Sequence, residues 1–122
     1  MSLIKRAAGF RYAFQGLADL FKSQPNARIH LAAAALAVAA GFYFQISNME
    51  WLAVVGCIVL VLSLEAMNTA IEHLTDLASP GFHPLAGKAK DVAAAAVLIA
   101  AFGSAVVGAI VFLPKMWACC AG

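Results

Sequence analysis

Two long stretches of this 122-residue chain carry no charged side chain, and their length limits the fold more than any other feature. The first lies between Arg28 and Glu50, and residues 31–46 within it are strongly apolar. With Ile29 and Met49 extending it, this run is long enough to cross a bilayer as a helix. Residues 92–114 form the second, longer than the ~20 residues that a span needs. Between them, Trp51 to Leu64 supplies only fourteen uncharged residues before Glu65. At about 1.5 Å per residue such a helix reaches roughly 21 Å, short of the ~30 Å hydrocarbon core. A span built here brings Glu65 and Asn68 to the membrane boundary or inside it.

Composition supports a membrane protein. Apolar residues make up 64% of the chain and charged residues 11%, where soluble domains average about 45–50% and about 25%. A chain this short cannot hide so much apolar surface in a water-soluble core, and its mean hydropathy is +0.90. The expected fold is a single all-α membrane domain, residues 1–122. An N-terminal amphipathic surface helix (1–24) precedes three transmembrane helices at about 29–49, 51–77 and 87–113. The turn Ser47-Asn48-Met49-Glu50 separates the first two spans, and Ser79-Pro80-Gly81, His83-Pro84 and Gly87 break the chain before the third. Five basic residues precede span one, two lie between spans two and three, and one follows span three. Seven of the eight therefore share one side, which sets the N-terminus in the cytoplasm and the C-terminus outside.

The first residues have another rhythm. Leu3, Ala7, Phe10, Phe14, Leu17 and Phe21 recur at helical spacing, and Lys5, Arg6, Arg11, Gln15, Asp19 and Lys22 fall off that line. This pattern fits a helix lying on the cytoplasmic membrane surface, or one packed on neighbouring cytosolic helices. The basic start leads into an interrupted pattern, so no cleavable signal peptide is expected. A net charge of +2 is too small to point to nucleic acid. Cys57, Cys119 and Cys120 have neither disulfide-framework nor metal-site spacing. The Cys119–Cys120 pair fits a plain tail or a lipidation site.

Glu65, Asn68, Glu72 and Asp76 are spaced by three, four and four residues. They form one helix stripe that starts in the membrane and climbs about 16 Å towards the cytosol. Thr69 and His73 lie beside it. Ionisable groups within a span are costly and by default mark function. Crowded carboxylates also repel one another unless cations or basic partners neutralise them, and magnesium with oxygen ligands is the natural candidate. Asp76 and His73 fit a solvated helix end equally well, and Glu65 and Asn68 fit interhelical packing. Lys90, where the third span begins, either snorkels to headgroups or meets a phosphate beside the stripe. Phosphoryl transfer needs magnesium ligands, a cation on the phosphates and a carboxylate for the hydroxyl proton. A P-loop is excluded, because Ala89 stands where Ser or Thr is required after Lys88 and no strand precedes it.

These residues resemble a known family, the small bacterial membrane-integral diacylglycerol kinases, which include undecaprenol kinases. The likeness is carried by Glu65-Ala66-Met67-Asn68-Thr69-Ala70-Ile71-Glu72 with Asp76 four residues on, by Gly87-Lys88-Ala89-Lys90-Asp91 and the run to Leu98, and by Asn26-Ala27-Arg28-Ile29-His30. The resemblance implies ATP-dependent phosphorylation of a lipid alcohol at the cytoplasmic face of the bacterial inner membrane. By analogy Glu65 is the general base, with Asn68 orienting groups beside it. Glu72 holds magnesium between ATP phosphates, Lys90 contacts the phosphates, and Asp91, His83 and Tyr12 help place the nucleotide. Glu65 and Arg28 face the lipid. The family is homotrimeric. Its members usually carry a glutamate just before span one as a second metal ligand, where this chain has Gln24. Diacylglycerol is the first expected substrate and undecaprenol the alternative, towards which the Asn26–His30 stretch leans. A small cation- or proton-coupled transporter also explains an acidic residue in a short span, and a scaffold explains polar groups that join helices.

Overall fold

The structure, a computed structural model, describes residues 2–122. Met1, the first residue of the expected surface helix, lies outside them. The described residues form four helices: α1 (Leu3–Ser23), α2 (Pro25–Tyr43), α3 (Asn48–Ala78) and α4 (Pro84–Ala121).

Local chemistry sets each boundary. The Ser2 side chain caps α1 by accepting the Lys5 amide at 3.2 Å. Gln24 ends α1 in an extended conformation, as the residue before a proline prefers. Pro25 then opens α2, where its missing N–H costs nothing. A single residue thus turns the chain from α1 into α2.

The run expected to continue as a helix to residue 49 stops at Tyr43. Gln45 takes a left-handed φ of 52°. Its amide donates to the Phe42 carbonyl at 3.3 Å, and the Ile46 amide donates to the Gly41 carbonyl at 3.1 Å. This pair of bonds closes the C-terminus of α2 and tucks Ile46 into the core, 6% exposed. The expected loop 47–50 is instead the cap and first turn of α3. The Ser47 hydroxyl accepts the Glu50 amide and Glu50 Oε1 accepts the Ser47 amide, at 3.2 and 3.0 Å. At the other end of the bundle, His83 Nδ1 accepts the Leu85 amide at 3.1 Å, and Pro84 begins α4. That helix runs past the expected limit of 113, through Pro114 to Ala121, so Cys119 and Cys120 are helical.

α3 is the central element, packed along α4 and against α2. Its buried residues Val54, Val61, Glu65 and Thr69 share one face. The buried residues of α4 include Ala93, Val97 and Ala100, small enough for close approach. Ile46, Val54 and Val111 form a core against which Ala37, Trp51, Ile58 and Phe112 pack. Gly41 is required here, because a Cβ would lie 2.6 Å from Trp51 Cη2.

Much of the outer surface is apolar, with Leu36, Leu52, Leu98, Ile99, Phe102 and Ile110 all exposed. Among the described residues two helices, α3 and α4, are long and apolar enough to cross a membrane. α2 has 19 residues, and its first turns carry Asn26, Arg28 and His30. On α1 the apolar line Leu3, Phe10, Phe14 and Leu17 is uncovered, whereas Leu20, off that line, is buried. A contact between Asp19 Oδ2 and His73 Nε2 at 3.1 Å ties α1 to α3.

At the bundle end away from the α3–α4 loop, the second carboxylate oxygen of Glu50 accepts from Lys115 Nζ at 2.9 Å. Lys115 first, and the Ser47 amide second, hold the Glu50 carboxyl below its ordinary range. A carboxyl lowered on folding contributes stability above its unfolded pKa and loses it as pH falls through the folded value. Lys115→Met should therefore lower the thermal midpoint in micelles at neutral pH and narrow its drop on acidification. An unchanged neutral-to-acid difference would contradict the staple.

Candidate active site

The polar stripe of α3 meets a different partner at each level. Glu65 is 3% exposed, and His30 Nε2 of α2 lies 3.2 Å from its Oε1. The Thr69 hydroxyl donates to the Glu65 backbone carbonyl at 2.9 Å, so it does not serve the carboxylate. One turn on, Asn68 Nδ2 donates to Glu72 Oε1 at 3.3 Å. Asn68 Oδ1 is buried without a partner, an arrangement that native structures rarely tolerate without a use. At the next level Asp76 pairs with Lys90 of α4. Repulsion among the carboxylates is thus relieved by an imidazole, an amide and an ammonium from three places in the chain.

Around Asp76 and Lys90 the α3–α4 loop encloses a cleft of about 220 Å³ lined also by Ser79, Gly81 and His83. The structure therefore gathers His83 and Lys90 with the end of the stripe. Asp91 is exposed beside Lys90, and Arg28 is exposed on α2. Among the described residues neither takes part in an ion pair. Tyr12 projects from α1, 68% exposed, and Gln24 occupies the α1–α2 corner half-buried. Among the described residues none of these four makes a side-chain hydrogen bond or ion pair with the stripe.

Below His30 a second cavity of about 380 Å³ runs between α2, α3 and α4, lined by Ala33, Ala37, Cys57, Ile58, Leu62 and Ser104 among others. Its walls are almost wholly apolar, and His30 is their polar member nearest Glu65. A buried carboxylate thus stands between an apolar space that fits hydrocarbon and a polar cleft that holds a cation.

The residues present also bear on a divalent cation. Among the described residues no group of three or more His, Cys, Asp or Glu side chains converges on a metal position. Glu72 and the orphaned Asn68 Oδ1 are, however, two hard oxygen donors side by side. That set fits magnesium that arrives with phosphates and keeps several waters, rather than a resident protein cage.

His30 is the site residue that spacing does not reveal. Its only signal in the sequence is an imidazole at the start of an apolar run, within a stretch that resembles the family. The pairing of Asp19 with His73 has no sequence signal either, because no periodicity links residues 54 apart in the chain.

Comparison with known proteins identifies the family. The family model for prokaryotic diacylglycerol kinase matches residues 11–112. The chain is 40% identical to an undecaprenol kinase of Bacillus subtilis over 107 residues, covering 88% of this chain and 87% of that protein. It is 38% identical to a diacylglycerol kinase of Synechocystis over 88% of this chain and 62% of that protein. A diacylglycerol kinase of Escherichia coli is 33% identical over 80% of this chain and 78% of its own length. A match across most of the helical bundle, including the whole stripe and its Lys90 partner, settles where the chain belongs: it is a member of the prokaryotic diacylglycerol kinase family, a family of lipid kinases.

Proposed function

We propose that this chain transfers the γ-phosphoryl group of ATP to the primary hydroxyl of a membrane lipid, diacylglycerol in the first reading, giving phosphatidic acid. The observation that carries this is the buried Glu65 carboxylate, 3% exposed, between an apolar cavity and the Asp76–Lys90 cleft.

In this reading α2, α3 and α4 all cross the bacterial inner membrane, with the N-terminus and the α3–α4 loop in the cytoplasm. The open apolar line of α1 lies on the membrane surface. The exposed apolar faces of the spans meet lipid and two further copies in a homotrimer. Three helices alone scarcely enclose both a nucleotide and a lipid.

The lipid tail enters the apolar region while its hydroxyl meets Glu65. The carboxylate accepts the hydroxyl proton as the oxygen attacks the γ-phosphorus and the bond to ADP breaks. Asn68 orients the groups next to Glu65, and Arg28 sits at the level of the lipid headgroup. Lys90, released from Asp76, balances charge on the phosphates, and Asp91, His83 and Tyr12 place the nucleotide. Glu72, with the amide oxygen of Asn68 or Gln24, would hold a magnesium ion arriving with ATP, which would supply neutralisation of the phosphate charge. The stripe's pairing with Lys90 also favours a kinase over a cation-coupled transporter, which has no need of a phosphate-side cation.

A second substrate reading rests on the undecaprenol kinase of Bacillus subtilis, 40% identical over 88% of this chain. Purified protein in mixed micelles with magnesium and labelled ATP, offered diacylglycerol, undecaprenol or no lipid, decides between them. Label is expected in diacylglycerol. Label in undecaprenol alone would move the substrate, and none in either would overturn the kinase reading for this chain. In the same assay Gln24→Glu should lower the magnesium concentration for half-maximal activity. An unchanged titration would remove Gln24 from the metal site.

A further inference from the structure

We infer that His30 is the positioning residue of Glu65: its Nε2–H holds one carboxylate oxygen so that the other faces the lipid hydroxyl. This rests on the reading of Glu65 as the base. A carboxylate that is 3% exposed has lost nearly all of its hydration, and a buried acceptor without a donor is expensive. The polar groups on the neighbouring turns of α3 are engaged elsewhere. The backbone amides of α3 serve their own helix, the Thr69 hydroxyl donates to a backbone carbonyl at 2.9 Å, and Asn68 Nδ2 turns to Glu72 at 3.3 Å. His30 remains, from a different helix, with Nε2 at 3.2 Å from Oε1.

The ring stands 3.2 Å from Oε1. In the proposed arrangement Oε2 is left to accept a proton, which is the asymmetry a general base requires. The ring also lines the apolar cavity between α2, α3 and α4. His30 thus stands between the space suited to a hydrocarbon tail and the group suited to the hydroxyl at its head. Its own position is set by the Gln24–Pro25 corner, which starts α2 at a fixed place beside α3. Because the imidazole meets Glu65 across a helix interface, 3.2 Å from Oε1, it fixes the carboxylate relative to two elements at once. A loss of such fixation is felt in turnover more than in nucleotide binding, since an error of about 1 Å at a reacting group costs on the order of 10²-fold in rate.

The test uses the full-length protein in mixed micelles with the lipid that wild type labels. His30→Leu keeps much of the volume and removes the donor. His30→Gln keeps an N–H donor at similar reach. Turnover in His30→Leu should fall roughly 10–100-fold, with KM for ATP unchanged, while His30→Gln stays within about threefold of wild type. Added to Glu65→Gln, His30→Leu should cost nothing more, because residues acting as a unit are not additive. If His30→Leu does not fold, His30→Asn replaces it, an amide too short to reach Glu65 and expected to be equally slow. Full turnover in the Leu or Asn variant, or a folded Gln variant as slow as either, would overturn the assignment. A wild-type protein that labels no lipid would instead overturn the kinase reading on which it rests.

Discussion

A carboxylate buried in a membrane-embedded helix bundle needs a partner, and the placement of the helices around Glu65 supplies one. His30 reaches it from α2 at 3.2 Å, and α2 is in position to do so because Gln24 and Pro25 turn the chain sharply out of α1. α3 carries the remaining members of the stripe upwards at helical spacing, and α4 brings Lys90 to its end. The site is therefore a property of how three helices meet. No single segment contains it.

α3 is also the element that stabilises the far end of the bundle. There Glu50 has two tasks, with one oxygen on the Ser47 amide and the other on Lys115 of α4. The apolar core of Ile46, Val54 and Val111 packs near that end, and the apolar cavity lies between it and the stripe. The order along α3 follows a physical gradient. Packing dominates where the helix is apolar on all sides, and polar partners take over where Glu65, Asn68, Glu72 and Asp76 share one face.

Helical periodicity makes the stripe legible in the sequence, since residues three and four apart must share a face. The shortage of uncharged residues before Glu65 points to the same helix. Cross-helix partners are harder to read. Nothing in local spacing tells His30 to meet Glu65, or Asp19 to meet His73. The end of α2 is hidden for a related reason: no charge interrupts the run at Phe44, Gln45 and Ile46, while a left-handed Gln45 and the Ser47–Glu50 capping box decide where one helix stops and the next starts. The extent of α4 is hidden because Pro114 reads as a terminator, yet the helix continues on either side of it. The apolar line of α1 is visible as a pattern, but the packed residue is Leu20, which lies off that line.

The proposed mechanism turns on the proton that Glu65 would take from the lipid hydroxyl. Glu65→Gln preserves shape and hydrogen-bonding capacity but abolishes basicity, so comparing its turnover with its ATP affinity isolates that role. The expected result is a loss of about 10²–10⁴-fold in kcat, with the dissociation constant for magnesium ATP and the thermal midpoint near those of wild type. A folded Glu65→Gln protein that turns over at the wild-type rate would contradict the mechanism and leave Glu65 as a joint between helices.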